Sequence, residues 1–307
     1  MQRPQWKVSL HSGHSSDYCD HAHSTLHEML QAASEAGYHT FGVTEHIPRG
    51  EARFHYANEL QMGWDLAKVE NDFVRYTADL TPLAREFSND LVVLRGFEAE
   101  IVPFATHRDR VAKARAATLA DGNLAFDYFV GSVHYVDEIS IDGELQLFQE
   151  AAAHWRNPID FAVAYYGTVE NMIRNLRPDV VGHLDLIKLN WTKAGFDPEI
   201  LSSSYVKTAA GLAIDAAKET GAILDLNTAG LRKGLGEPYP APWIVKMAQE
   251  RGVYFCFGDD SHKVEQVGYG IEEARECLLS NGVTEVSVLT KEGGFDAGMV
   301  KRRVSLT

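Results

Sequence analysis

The chain has 307 residues, is 45% hydrophobic and carries a formal charge of −14 with a pI near 5.4. That length suits one large folded unit, and the acidic balance disfavours a broad nucleic-acid partner because phosphate backbones are repelled. The three cysteines, Cys19, Cys256 and Cys277, form no CxxC pair, so neither a disulfide framework nor a zinc finger is indicated. No apolar run reaches membrane-spanning length and the N-terminus has no signal core, which points to a cytoplasmic setting.

In chain order, short apolar runs alternate with longer amphipathic segments. Strands are expected at Lys7–His11, Thr40–Thr44, Leu91–Phe97, Tyr128–Val133, Val180–His183, Ala222–Asn227 and Val253–Gly258. A last run, Val283–Leu289, reads as an eighth strand or an extra edge. The runs are apolar on both faces, as expected of strands covered by helices. Thr25–Ala36 opens with a Thr25/Glu28 capping-box pattern and stops before Gly37. Trp64–Phe87 reads as a long helix broken near Pro82. Helices at Pro158–Leu176, Pro198–Thr220 and Pro242–Arg251 each begin at a proline, which suits a first turn. This alternation predicts parallel βα units, and seven of them favour a barrel over an open sheet.

The polar residues fall at the C-terminal ends of these strands. The first strand leads to His11 and His14, with His21 on the next loop. The second ends in Thr44-Glu45-His46, the third in Gly96-Phe97-Glu98, and the fourth in Gly131-Ser132-Val133-His134. The fifth ends in Gly182-His183-Leu184-Asp185 and the seventh in Asp259-Asp260-Ser261-His262. In a parallel barrel these ends share one face, where active sites are built. Seven of the thirteen histidines lie at or just after strand ends. Imidazole and carboxylate together suit zinc, iron or manganese, and a bridging carboxylate holds two ions. Two close ions acidify a bridging water and clamp both the attacking and the leaving oxygen of a phosphoryl group. The glycines before the ligands (Gly96, Gly131, Gly182, Gly258) either allow close approach or merely mark strand ends.

Tyr18-Cys19-Asp20-His21, Thr44-Glu45-His46-Ile47-Pro48-Arg49, Gly96-Phe97-Glu98, Gly131-Ser132-Val133-His134, Gly182-His183-Leu184-Asp185 and Asp259-Asp260-Ser261-His262 resemble the ordered motifs of the polymerase-and-histidinol-phosphatase (PHP) superfamily. Ser16-Asp17-Tyr18-Cys19, Thr44–Arg49, Leu226-Asn227-Thr228-Ala229-Gly230-Leu231-Arg232-Lys233 and Glu237-Pro238-Tyr239-Pro240 resemble its histidinol-phosphatase branch. The resemblance runs from His11 to Gly268. It implies a single domain over residues 1–307: a distorted seven-stranded (β/α) barrel with two or three divalent metal ions. The ligand set it implies is His11 and His14 with Glu98 and Asp260 on one ion. Glu98 bridges to a second ion on His134 and His183, and His21, His46 and His262 hold a third. The activity implied is hydrolysis of a small phosphorylated substrate, L-histidinol phosphate. Another phosphoesterase or an exonuclease of the superfamily is the alternative.

Glu98, Asp260 and Asp185 are the catalytic candidates. Arg49 and Arg232, with Lys233, are candidates for the phosphate, since guanidinium matches it bidentately. Asp185 or Asp259 stands either as acid for the leaving alkoxide or as an orienting group behind a ligand. Cys19 reads as a small packing residue. Gly230–Gly236 lacks P-loop spacing. One departure concerns the opening motif. The family's His-x-His puts both rings on one face of a strand, whereas His11-Ser12-Gly13-His14 would point them apart. Either a bulge at Gly13 restores convergence, or the first metal position is weakened.

Overall fold

The computed structural model describes residues 3–307. Eight short parallel strands form its centre: β1 (Val8–Ser9), β2 (Thr40–Val43), β3 (Val92–Arg95), β4 (Glu98–Glu100), β5 (Val130–Ser132), β8 (Val180–Val181), β9 (Ile223–Asn227) and β10 (Phe255–Gly258). Two small hairpin strands, β6 (Tyr135–Val136) and β7 (Ile139–Ser140), lie between β5 and β8. An antiparallel pair, β11 (Glu285–Lys291) and β12 (Met299–Ser305), closes the chain.

The parallel strands divide into a three-stranded sheet, β1-β2-β3, and a five-stranded sheet, β10-β9-β8-β5-β4. The two therefore do not make one uninterrupted seven-stranded ladder. The reason is local. The third expected strand, Leu91–Phe97, stops at Arg95 as β3, and after Gly96-Phe97 a further strand, β4, that was not expected begins at Glu98 in the other sheet. Backbone hydrogen bonds nevertheless pass between the sheets. Leu10 N–H donates to Phe257 O at 2.8 Å, and Ile47 N–H donates to Glu98 O at 2.9 Å.

The helices are α1 (Leu26–Glu35), α2 (Ala57–Gln61), α3 (Leu66–Glu86), α4 (His107–Arg115), α5 (Leu145–Ala153), α6 (Pro158–Leu176), α7 (Lys188–Trp191), α8 (Ser204–Thr220), α9 (Ala229–Arg232), α10 (Pro242–Arg251) and α11 (Ile271–Ser280). The Thr25/Glu28 capping box forms as expected. In α6 the Asn157 side chain caps the first turn, Pro158 opens it, and Arg177 ends it in a left-handed conformation. Two boundaries differ from expectation. α3 runs through Pro82 without a break; the proline is exposed, so the carbonyl it leaves without a donor can be solvated. The expected helix Pro198–Thr220 is a 3₁₀ turn, Pro198–Ser202, followed by α8.

One connected set of buried apolar side chains reaches from Val8 to Leu306. α6 and α8 pack together, and both feed this set, α6 with Val169, Met172 and Ile173 and α8 with the small residues Ala209, Ala213 and Ala216. Each fully buried large apolar chain of this kind stabilises the fold by about 1.5–3 kcal/mol. No helix among the described residues is long and apolar enough to cross a membrane.

Candidate metal centre

Glu98 is the first residue of β4, it is 1% exposed, and five imidazoles surround its carboxylate. Its Oε1 lies 3.2 Å from His11 Nε2, 3.5 Å from His183 Nε2 and 3.8 Å from His134 Nε2. Its Oε2 lies 3.1 Å from His46 Nδ1 and 3.8 Å from His14 Nε2. Asp260 Oδ1 stands 3.6 Å from His14 Nε2 and 4.0 Å from His11 Nε2. Side chains from five strand ends thus meet around one carboxylate.

The question posed by His11-Ser12-Gly13-His14 is answered by the backbone. Gly13 has φ +75°, a left-handed conformation open to glycine at little cost. The residue before it pairs with β2 (Thr44 N–H to Ser12 O, 3.0 Å), whereas the flanking histidines pair with the β10 side. There Asp260 N–H donates to His11 O at 2.8 Å, and His14 N–H donates to Ser261 O at 3.1 Å. The extra residue is absorbed at Gly13, and both rings face Glu98. Gly182 and Gly258 make room for His11: a Cβ on either would come within 3.0 Å of its side chain. His183 and Asp260 also hold positive φ, +21° and +48°. Non-glycine residues adopt that conformation only when the surroundings enforce it, and such positions cluster at functional sites.

A second layer sets the tautomers. Asp225 Oδ2 accepts from His11 Nδ1 at 2.8 Å, which leaves the His11 Nε2 lone pair facing Glu98. Asp225 Oδ1 also accepts from the His183 backbone N–H at 2.6 Å. Glu100 Oε1 lies 3.4 Å from His134 Nδ1, and Asp260 O lies 2.9 Å from His262 Nδ1. Glu45 accepts from the Ser15 N–H at 2.6 Å and stands 3.6 Å from His14 Nδ1. Sequence reasoning gave no role to Asp225, Glu100 or Glu45. Two of them carried a signal: Glu100 is two residues after Glu98 on the same strand face, and Asp225 is a lone carboxylate inside an apolar strand.

The electrostatics follow from burial and these neighbours. Burial disfavours charge on Glu98, yet the surrounding imidazoles, His11 and His46 first, hold its pKa well below the ordinary carboxylate range. Asp260 is likewise depressed: burial opposes it, and His11, His262 and Lys233 outweigh burial. His134 is raised to about 9, because Asp142, Glu100 and Glu98 overcome the burial that would lower it.

The donor set fits metal ions. His11 Nε2, both nitrogens of His14, His46 Nδ1 and Glu98 Oε1 are buried without a hydrogen-bond partner; leaving such groups unpaired costs about 1–3 kcal/mol each. His134 Nε2 and His183 Nε2 face each other at 3.2 Å beside the same Glu98 oxygen, a hydrogen bond when one ring carries the proton and a pair of donors for one cation when neither does. Three-residue sets with donors mutually close are His11-His14-Glu98, Glu98-His134-His183, His14-His46-His262 and Cys19-His21-His262. The third set differs from the expected His21-His46-His262: His14 replaces His21, which sits instead with Cys19.

The remaining candidates divide by position. Arg232 and Lys233 line an open groove of about 870 Å³ together with Glu98, His134, His183, Asp260 and His262. Arg232 donates to the carbonyls of Asp259 and Asp260. Arg49 does not line this groove. Its guanidinium donates to Phe54 O at 3.0 Å, pairs with Glu100 and Glu59, and stacks 3.7 Å from the Tyr56 ring. Asp185 lies behind the groove, accepting from the Ala241 N–H at 2.8 Å and paired with Lys188 at 3.0 Å; burial raises its pKa, and Lys188 only partly offsets this. Asp259 accepts from Tyr38 Oη at 3.1 Å and from the Gly268 N–H at 2.9 Å, fixing the loop that carries Asp260.

The PHP domain family model matches residues 9–229. The chain belongs to the PHP family. A Schizosaccharomyces pombe protein named "Probable histidinol-phosphatase" is 31% identical over 301 residues, covering 96% of this PHP chain and 93% of its own. The Saccharomyces cerevisiae protein named "Histidinol-phosphatase" is 26% identical, with 88% and 87% covered. Among solved structures, the hisK protein of Listeria monocytogenes aligns with TM-score 0.74 at 25% identity over 87% of this chain and 99% of that one. The histidinol phosphate phosphatase of Lactococcus lactis, solved with zinc, L-histidinol and phosphate, has TM-score 0.68 at 17% identity. It covers 93% and 97% of the two chains and supports the fold. This PHP protein is therefore an α/β protein with parallel sheets of the kind found in those phosphatases.

Proposed function

We propose that the protein is a metal-dependent histidinol-phosphatase that hydrolyses L-histidinol phosphate to L-histidinol and phosphate. The observation that carries the reading is Glu98, ringed by His11, His14, His46, His134 and His183 at 3.1–3.8 Å. Curated relatives over nearly the whole chain are named for this activity. The groove carries charges of both signs. Arg232, Lys233 and Lys263 enter from α9 and the end of β10, and Asp142, Glu144 and Glu150 enter from the segment after β7. Charges of both signs suit a substrate that carries both a phosphate and an ammonium.

His11, His14, Glu98 and Asp260 would hold one ion, Glu98 with His134 and His183 a second, and His14 or His21 with His46 and His262 a third. When bound, the divalent ions supply Lewis acidity toward the phosphoryl oxygens and toward water. Arg232 and Lys233 bind the phosphoryl group, with Arg232 steadied by the two backbone carbonyls of the Asp260 loop. Glu98 and Asp260, ionised across the neutral pH range, keep the donor set anionic. Asp185 acts from behind, fixing the loop that carries His183 through its bonds to Ala241 and Lys188. Arg49 neutralises Glu100 and so steadies His134. In the reaction a new P–O bond forms from water, the ester P–O bond breaks, and the leaving alkoxide takes up a proton.

We also propose one domain, with the two sheets joined by their seam hydrogen bonds into a distorted barrel, working in the cytoplasm on a small phosphorylated substrate. The test is phosphate release from L-histidinol phosphate against other phosphomonoesters. A preference of at least tenfold, worth about 1.4 kcal/mol in the transition state, lost on chelation and in Glu98→Gln, is expected. Equal turnover of all monoesters would overturn the substrate, and full activity in Glu98→Gln would overturn the centre.

A further inference from the structure

We propose that Cys19 is a thiolate ligand, forming with His21 and His262 a metal position that favours thiolate-accepting ions. The proposal extends the reading of the site as a metal centre and adds a donor that reading does not use. Sγ of Cys19, one nitrogen of His21 and one of His262 lie mutually within 4.8 Å. Sγ is 3.2 Å from His21 Nδ1 and 3.5 Å from Nε2. A tetrahedral zinc ion with Zn–S of about 2.3 Å and Zn–N of about 2.0 Å holds the two donors about 3.5 Å apart. The sulfur stands at nearly equal distances from the two ring nitrogens, so it lies over the imidazole face, and a turn of the partly exposed His21 ring brings its Nε2 lone pair and the sulfur onto one ion.

The neighbours prepare the donors. Asp20 Oδ1 lies 2.9 Å from His21 Nδ1. The carboxylate takes that N–H and leaves the Nε2 lone pair free, the usual carboxylate–histidine–metal arrangement. The other oxygen of Asp20 is buried without a partner, so the carboxylate is held in place with residual negative charge beside the trio. His262 is set in the same manner: its Nδ1 lies 2.9 Å from Asp260 O. Burial, with Glu45 and Asp20 nearby, raises the Cys19 thiol well above its ordinary value, and the backbone N–H groups of His21 and Ala22 only partly oppose this, so the thiolate forms as the ion binds and its proton is released. Cys19 is 8% exposed, whereas His21 and His262 line the open groove. An ion can therefore enter from the groove and meet the sulfur at its inner side.

The consequence is selectivity. Thiolate suits zinc, cobalt and iron(II) and is a poor donor for magnesium or manganese. His262 also belongs to the His14-His46-His262 set, so the two positions compete for one imidazole.

The experiment is cobalt(II) titration of the metal-free full-length protein, read by absorption. A thiolate-to-cobalt charge-transfer band in the near ultraviolet is expected. It is lost in Cys19→Ser and kept in the Cys256→Ser/Cys277→Ser double variant, which retains Cys19 alone and covers the case in which Cys19→Ser fails to fold. Cobalt bound without the band, or a band that survives Cys19→Ser, overturns the role of Cys19 while leaving the histidine centre standing. Failure to bind cobalt at all overturns both.

Discussion

At the scale of single residues, the tautomer of His11 decides the site. Its Nε2 faces Glu98 because its Nδ1–H is committed to Asp225 at 2.8 Å. Asp225 is fully buried and also holds the His183 backbone, so one carboxylate orients ligands of both positions that share Glu98. Asp225→Asn keeps the shape and removes the charge. Metal affinity is expected to fall about 10–100-fold, measured by competition with a chromophoric chelator, while the unfolding midpoint of the metal-free protein moves little. Unchanged affinity would show that His11 is oriented by other means. The candidate ligands that gather around Glu98 were legible in the sequence because they stand at strand ends behind short motifs. Asp225 and Glu100 are marked in the sequence only as carboxylates within strands, with no sign of which imidazole each will meet, and Glu45, just past β2, carried no signal of its own. Arg49 was misleading for a related reason. Its motif places it beside His46, but its charge is taken by Glu100 and Glu59 before it reaches the groove.

At the scale of elements, periodicity located seven of the eight parallel strands, overran most of their ends and missed β4. Leu91–Phe97 reads as one strand; the ladder stops at Arg95 and resumes at Glu98 in the other sheet, a step that no apolar pattern encodes. The partner of β11 was missed because Met299–Ser305 is mostly exposed and carries Lys301, Arg302 and Arg303, a composition that resembles a tail. The terminal hairpin is fastened to the sheets by Lys291, whose Nζ lies 3.1 Å from Asp127 Oδ1. Asp127 also accepts from Arg95 Nη2 at 2.8 Å. Burial would raise the Asp127 pKa, but Arg95 and Lys291 hold it below the ordinary value. A depressed carboxylate contributes stability above its unfolded pKa, about 3.9, and that contribution is lost as pH falls through the folded value. Asp127→Asn should therefore cost about 3 kcal/mol at pH 7. The gap from the parent protein should shrink below about pH 4. Urea denaturation at the two pH values checks this, and a gap independent of pH would refute the ion-pair account.

At the scale of the molecule, a chain of net charge −14 gathers buried imidazoles and carboxylates around one point and leaves several of their atoms without partners. Ions that bind only the folded state add about 2.7 kcal/mol per site at a hundredfold excess over Kd. Chelation is expected to lower the thermal midpoint by several degrees, and zinc or manganese to restore it in proportion to the logarithm of its concentration. A midpoint indifferent to chelator would mean that the polar core is self-sufficient. Parallel α/β architecture was legible from the strand-helix alternation. The division into sheets of three and five was not, because it depends on ladders as short as the two residues of β1 and β8.

The step at Gly96-Phe97 also bears on when the protein acquires its ions. His11, His14 and His46 follow strands of one sheet, whereas Glu98, His134, His183 and Asp260 belong to or follow strands of the other. The Glu98-His134-His183 set is complete on the five-stranded sheet alone, whereas the His11-His14-Glu98 and His14-His46-His262 sets draw donors from both. Those two sets therefore exist only once the sheets have docked, and a chain with a single sheet assembled can offer an ion one position instead of three.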